Sequence, residues 1–226
     1  MESAHYGEFM IATQAIESMH PGVIEFAQRH CEGVNSPINR AIKLFYAIRD
    51  DIRYDPYHID LTISGMRAST TLLERRGWCV PKAVLLATCC RSIGIPARLG
   101  FADVRNHLTT QKLRQRMRTD VFYWHGYTEI LLANRWVKAT PAFGGRLCQR
   151  LGLLPLEFDG QNDSLHHPYD VEGHQHMEYI KHRGIYSDLP IDEITQTFEE
   201  KYRFSNQRSE SIRENFDQDI SVEMRT

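Results

Sequence analysis

Residues 77–83 read Gly-Trp-Cys-Val-Pro-Lys-Ala, and the proline decides how they are built. Proline has no backbone N–H and its ring collides with the preceding turn, so a helix tolerates it only in its first turn. Pro81 therefore puts a helix start near Trp78 to Val80, with Cys79 at the N-terminus. Ala83, Leu86, Ala87 and Cys90 follow at helical spacing as a buried stripe, and Gly94 ends the helix ahead of Ile95-Pro96. Unpaired amides and the positive end of the helix dipole favour a thiolate over a thiol, and the thiolate is the nucleophile. The same amides can stabilise an oxyanion. Cys89 and Cys90, inside the apolar stretch, read as small core residues instead.

A nucleophile needs a base, which directs attention to Val121–Leu132, Val-Phe-Tyr-Trp-His-Gly-Tyr-Thr-Glu-Ile-Leu-Leu. Its aromatic and β-branched residues favour a strand, and two-residue alternation predicts Tyr123, His125, Tyr127 and Glu129 on one face. Phe122, Trp124, Thr128 and Ile130 take the other. Ala133-Asn134 turns the chain, Arg135 to Ala139 returns as a second strand, and Thr140-Pro141 stops it. If Leu132 pairs with Arg135, Tyr127 faces Thr140, and Thr140 lies one diagonal step from His125. A lone strand histidine is ordinarily structural; following Cys79 in the chain makes His125 the candidate general base.

Upstream, Ser36-Pro37 opens an amphipathic helix to about Asp50, with Ile38, Ile42, Phe45 and Ile48 at helical spacing. Arg53 to Gly65 reads as a loop able to line a cleft, and a short helix follows Ser69-Thr70. Between the two candidate strand regions, Arg105 to Thr119 carries Arg105, Lys112, Arg114, Arg116 and Arg118 with no acidic residue. Leu108, Leu113 and Met117 give it a narrow apolar contact as a short helix. The simplest reading is a solvated basic insert; its position beside the candidate base also suits a lid or a docking site for an acidic partner.

At 226 residues, 42% hydrophobic and 25% charged, the chain suffices for one globular domain and an extension. A net charge of -2 gives no basic field for nucleic acid. Neither a basic, apolar leader nor a bilayer-length apolar run is evident, so a soluble, unexported, cytoplasmic protein with no membrane partner is expected. Cys31, Cys79, Cys89, Cys90 and Cys148 form no Cys-x-x-Cys pair, which argues against a disulfide scaffold or zinc ribbon. Five of the 11 histidines, His166, His167, His174, His176 and His182, crowd into a short stretch without a metal-binding motif. They read as a loop packed around the core, so neither a metal nor another cofactor is expected. From Ile191 onward the polar chain reads as a peripheral helix or a tail.

Gly77-Trp78-Cys79, Ala83, Arg91-Ser92-Ile93-Gly94-Ile95-Pro96-Ala97-Arg98, His125-Gly126-Tyr127-Thr128-Glu129 and Trp136-Val137-Lys138-Ala139-Thr140-Pro141 together resemble the transglutaminase-like core of the papain-like cysteine enzymes. The resemblance implies an α+β fold in which the helix bearing Cys79 packs on an antiparallel sheet carrying His125. It implies residues 36–143 as the core, 1–35 as an N-terminal helical segment and 144–226 as an extension packed on the core with a polar tail. It further implies a Cys-His dyad that transfers an acyl group through a thioester, on a peptide or other amide substrate. Water as acceptor gives a peptidase or amidase; an amine gives transglutamination. The family's third residue is an aspartate in Trp-x-x-x-Asp-Pro, and here Thr140 stands in its place. Thr140 as a weak orienter, Asp159 or Asp163 as a substitute, and a catalytically degenerate binding module all remain open. Arg98 and Glu129 are the expected structural ion pair between the central strands.

Overall fold

The computed structural model describes residues 6–107, 110–167, 169–202 and 216–223. A single 3-10 turn at Gly7–Phe9 precedes two helices, α1 (Pro21–His30) and α2 (Pro37–Asp51). The Ser36 hydroxyl accepts from the Asn39 amide at 3.5 Å and Pro37 sits in the first turn, as that dipeptide predicts. Leu44, Phe45 and Ile48 are buried, whereas Ile38 and Ile42 flank the core half-covered.

The stretch that reads as a loop holds β1 (Arg53–Tyr54) and α3 (Ile63–Met66); α4 (Ala68–Glu74) and β2 (Arg76–Gly77) follow, with β1 and β2 pairing in parallel. α4 starts ahead of Ser69-Thr70 because those residues are occupied elsewhere: the Ser69 amide donates to Glu17 at 3.0 Å and the Thr70 hydroxyl to the Ser64 carbonyl at 2.7 Å.

Next comes α5 (Cys79–Ser92), buried at every position from Cys79 to Arg91. A helix covered on all sides has no use for a polar face, which is why its sequence is apolar nearly all round. It packs on α1, α2 and α4 and against the sheet. Gly94, in the left-handed region at φ 81°, lies just beyond its end.

The sheet consists of β3 (Ala97–Asn106), β4 (Val121–Leu132), β5 (Arg135–Ala139) and β6 (Met177–Tyr186) in the antiparallel order β5-β4-β3-β6. Ala133 and Asn134, both left-handed at φ 48° and 62°, make the two-residue turn that sets Leu132 against Arg135. The ladder ends at Thr128 and Ala139. The Thr140 amide donates to the Ser164 carbonyl at 3.0 Å, so the chain leaves the hairpin before Thr140 can face Tyr127.

A bulge interrupts β4. Trp124 has φ 59°, the register skips between Ala102 and Val104, and the Trp124 amide donates to the Asp103 carboxylate at 3.2 Å. Simple alternation is thereby lost at the end of β4 nearest Cys79.

β3 and β4 bracket the basic insert, whose helix α6 (Gln111–Met117) is capped by Thr110 and buries Leu113 and Met117; Leu108 lies outside the described residues. After β5 come α7 (Gly145–Arg150), the edge strand β6, α8 (Ile191–Tyr202) and α9 (Phe216–Glu223). α8 is not peripheral: Ile194, Phe198 and Tyr202 are buried, and the Tyr202 hydroxyl accepts from the Tyr123 amide at 2.7 Å beside the bulge. The buried Arg91 guanidinium donates to the carbonyls of Ile11, Ala97 and Ser187 at 2.7–2.8 Å, tying the early chain, β3 and the segment after β6 to α5. Among the described residues no helix is long and apolar enough to cross a membrane.

Candidate active site

Cys79 opens α5 and is 4% exposed. Backbone N–H groups of Gly126, Val80 and Cys79 itself act to lower its pKa. Burial nevertheless outweighs them and pushes the thiol up to about 12, so in this closed arrangement Cys79 is a thiol. The expectation of a thiolate held by the helix terminus is thus reversed by desolvation.

Gly126 explains how β4 comes so close. A Cβ there would lie 3.1 Å from both Cα and Cγ2 of Val80, so only glycine fits this contact without a shift of α5's first turn. The residue before it is His125, also 4% exposed, which this approach brings beside the first turn of α5.

Burial, followed by the nearby His176, pushes His125 down to about 4 and keeps the imidazole neutral. Its Nε2 has no hydrogen-bond partner. The His166 ring lies 5.1 Å away, centroid to centroid, and that of Tyr179 6.4 Å away. His166 in turn lies 4.8 Å from Phe143 and 5.9 Å from His176. Burial first, then neighbouring histidines including His125, drives His166 well below its ordinary value, while burial sets His176 at about 4. The histidine-rich stretch thus delivers two neutral imidazoles to the candidate base. Its unusual density of histidines is the only sequence signal that pointed there.

None of the three residues considered as the orienter of His125 is hydrogen-bonded to it. Thr140 is buried with its hydroxyl unpartnered. Asp163 accepts from the Lys138 amide at 2.9 Å and lies 3.7 Å from the Lys138 ammonium. Asp159 closes its own turn, accepting from the Gln161 and Asn162 amides at 2.8 and 2.7 Å, bonds that hold its carboxyl at about 2. Both carboxylates have local work near the surface.

Arg98 and Glu129 stand directly opposite each other on β3 and β4, with Arg98 Nη2 2.7 Å from the Glu129 carboxylate. The guanidinium also covers the Trp136 ring at 3.9 Å. This pair links the strands; it does not touch Cys79 or His125 by any hydrogen bond.

A cavity of 30 Å³ adjoins Cys79, with Tyr54, Ile59 and Trp78 on one side, Leu113, Arg116 and Met117 of α6 on another, and Phe122, Tyr123, Phe198 and Tyr202 closing it. The bulge is what brings the neighbours Phe122 and Tyr123 to one cavity. It has room for only about two waters. The apolar side of the basic insert thus lines the same cavity as Cys79. A separate groove of 450 Å³ shares Ile59 and Trp78 with it and reaches Gly77 and Pro81. That groove is polar, with Asp55, His58, Asp60, Arg67, Glu74 and Arg76 around it. Among the described residues, no group of three His, Cys, Asp or Glu side chains is arranged to hold a metal ion.

A cysteine in the first turn of a buried helix, packed on an antiparallel sheet whose second strand carries a histidine, defines the papain-like α+β class. The transglutaminase-like superfamily matches residues 24–141, slightly over half of the chain, and the chain belongs to that superfamily. Three solved structures are similar in fold. A candidate cysteine protease from Cytophaga hutchinsonii is 16% identical with a TM-score of 0.46, over 79% of this chain and 53% of its own. A candidate protease from Parabacteroides distasonis ATCC 8503 is 14% identical with a TM-score of 0.40, over 60% and 26%. An arylamine N-acetyltransferase from Salmonella typhimurium is 15% identical with a TM-score of 0.44, over 80% and 70%. The chain thus spans about half the length of the first and a quarter of the second. No curated protein sequence matches it.

Proposed function

We propose that the protein is a cysteine-dependent acyl-transfer enzyme acting on amide bonds, with water as the usual acceptor. The observation that carries this reading is the close approach of β4 to the first turn of α5, where a Cβ at Gly126 would lie 3.1 Å from Val80 Cα, since Cys79 precedes Val80 and His125 precedes Gly126 in the chain. Cys79 gives its proton to His125 as the sulfur attacks the amide carbonyl; the tetrahedral oxyanion collapses, His125 returns the proton to the departing amine, and a thioester remains. Water then adds with His125 as base, releasing the acid and regenerating the thiol. An amine in place of water gives transamidation by the same steps.

The surroundings favour a substrate with an apolar part next to Cys79, where the cavity walls are aromatic and aliphatic apart from Arg116, and a polar part in the adjoining groove. A peptide or another small amide has that character. The reading needs neither cofactor nor metal, places no nucleic acid or membrane among the partners, and suits the cytoplasm, where five buried, unpaired cysteines stay reduced.

A second reading has its own support. The small cavity and the thiol pushed up to about 12 also suit a non-catalytic binding module that kept the cleft. One experiment separates them: incubate the protein with aryl-amide and peptide-amide fluorogenic substrates and follow product beside Cys79→Ser. Turnover lost in Cys79→Ser supports the enzyme; failure of every substrate to turn over, together with a Cys79 no more reactive than Cys89, supports the binding module.

A further inference from the structure

We propose that His166 is the positioning residue for His125, accepting at its own Nε2 the hydrogen that His125 carries on Nε2. The proposal rests on the reading of Cys79 and His125 as the reacting pair. Two buried ring nitrogens, His125 Nε2 and His166 Nε2, are each without a partner. Their rings are 5.1 Å apart between centroids and tilted by 54°. That separation is about what two imidazoles need to share one hydrogen, with each nitrogen about 1.1 Å from its ring centre and an N···N distance of about 3 Å. The bond is not formed as the rings stand; hydrogen bonds of catalytic groups often tighten only when substrate is bound.

Burial makes the pairing chemically favourable. A buried polar atom without a partner is destabilising, and one shared hydrogen satisfies both nitrogens at once. Phe143, 4.8 Å from His166, and His176, 5.9 Å away and nearly perpendicular, pack against the acceptor ring. The rival orienters are not hydrogen-bonded to His125: the Thr140 hydroxyl is unpartnered, Asp163 is held by Lys138 and Asp159 by its own turn.

The consequence is a choice of tautomer. With the hydrogen of neutral His125 on Nε2 and directed to His166, Nδ1 keeps the lone pair and is the nitrogen that accepts the Cys79 proton. His166 supplies orientation as a neutral acceptor, without the negative charge an aspartate brings to an imidazolium. It therefore acts through His125 and touches no reacting atom.

The test uses the full chain with ¹⁵N-labelled histidine at pH 7.5, where NMR couplings distinguish the two neutral tautomers; the His125 signals are assigned from their loss in His125→Gln. In parallel, peptide mass spectrometry gives the iodoacetamide labelling rate of Cys79. His125 is expected as one tautomer protonated on Nε2. His166→Phe, which keeps a ring but removes the acceptor, should mix the tautomers and slow Cys79 labelling about tenfold, whereas His166→Asn, which restores an acceptor, should recover most of both. Thr140→Val should change neither. A His125 proton on Nδ1 in the unsubstituted protein overturns the proposal, even if His166→Phe fails to fold. An unchanged tautomer and rate in a folded His166→Phe does so too. If Cys79 proves inert while His125 shows the expected His166-dependent tautomer, the catalytic reading fails and the pairing survives.

Discussion

The Lys82 ammonium lies 2.9 Å from the Ala142 carbonyl oxygen, two residues beyond Thr140 and with no exposure to solvent. It also donates to the carbonyls of Arg49 at 3.1 Å and Ile52 at 2.6 Å. Three acceptors match the three donors of an ammonium, which holds the charged form against the burial that lowers its pKa to about 7. One side chain thus ties the first turn of the cysteine helix to the end of α2 and to the chain leaving β5. Lys82→Met, similar in length, should leave those carbonyls without this donor and cost about 3 kcal/mol or more. In a chain of this size that is a fall of roughly 6–12 °C in the thermal midpoint, read by a circular dichroism melt. A midpoint within about 2 °C of the parent would show that the clamp contributes nothing of consequence.

Cys79, Cys89 and Cys90 are all buried, and Cys79 lines the cavity beneath α6 while Cys89 and Cys90 lie further along the buried helix. Iodoacetamide at pH 7.5 should label Cys79 first, by about tenfold over the other two, because their sulfurs lie inside the fully packed part of α5. His125→Ala should slow that labelling while leaving the melt within a few degrees. Equal labelling of the three cysteines in folded protein would contradict the site.

How much of this was legible depends on the distance over which each signal acts. Pro81 fixed the start of α5, and Ala133-Asn134 fixed the β4–β5 register, since both act within a few residues. β6 gave little signal because it is an edge strand with much of Met177–Tyr186 exposed, and only its pairing with β3, some eighty residues earlier, makes it a strand. α8 looked like a tail for the related reason that its buried residues meet the sheet and not a sequence neighbour. A Thr140–Tyr127 pairing requires the hairpin to continue, and the Thr140 amide instead donates to the Ser164 carbonyl. His166 and Lys82 reach their places through tertiary contacts that no local pattern encodes.

The buried histidines should make the fold acid-sensitive within a defined window. An unfolded imidazole titrates near 6.5, whereas folded His125 and His176 resist protonation until about 4. Between those values the unfolded state binds protons that the folded state does not, so stability falls as pH drops from about 6.5 to about 4 and is insensitive to these groups above about 7. Each histidine contributes at most about 3 kcal/mol to the fall. Chemical denaturation at pH 7.5, 6, 5 and 4.5 should follow that course, and His176→Gln should make it shallower. A His176→Gln protein with the same acid dependence as its parent would remove His176 from the explanation.

The walls of the cavity beside Cys79 lead to a prediction about the substrate. Met117 of α6 and Phe122 of β4 line it, and the cavity is only 30 Å³, so α6 or a neighbouring element must yield before an acyl group enters. Shortening a side chain that lines the cavity should make entry easier: Met117→Ala removes buried contact, at about 2 kcal/mol or more of stability, but widens the cavity that Cys79 lines. It should therefore raise the labelling rate of Cys79 by a benzyloxycarbonyl-phenylalanyl chloromethyl ketone about fivefold or more, with a smaller change for iodoacetamide, which needs less displacement of the cover. A glutamyl chloromethyl ketone, whose charge would meet mostly apolar walls with Arg116 among them, should remain slower than the phenylalanyl reagent in both proteins. If the glutamyl reagent labels Cys79 faster than the phenylalanyl one, the apolar cavity is not the acyl site. If Met117→Ala instead leaves every rate unchanged while remaining folded, α6 does not gate the nucleophile, and entry must proceed past α8, where Phe198→Ala should show the increase that Met117→Ala does not.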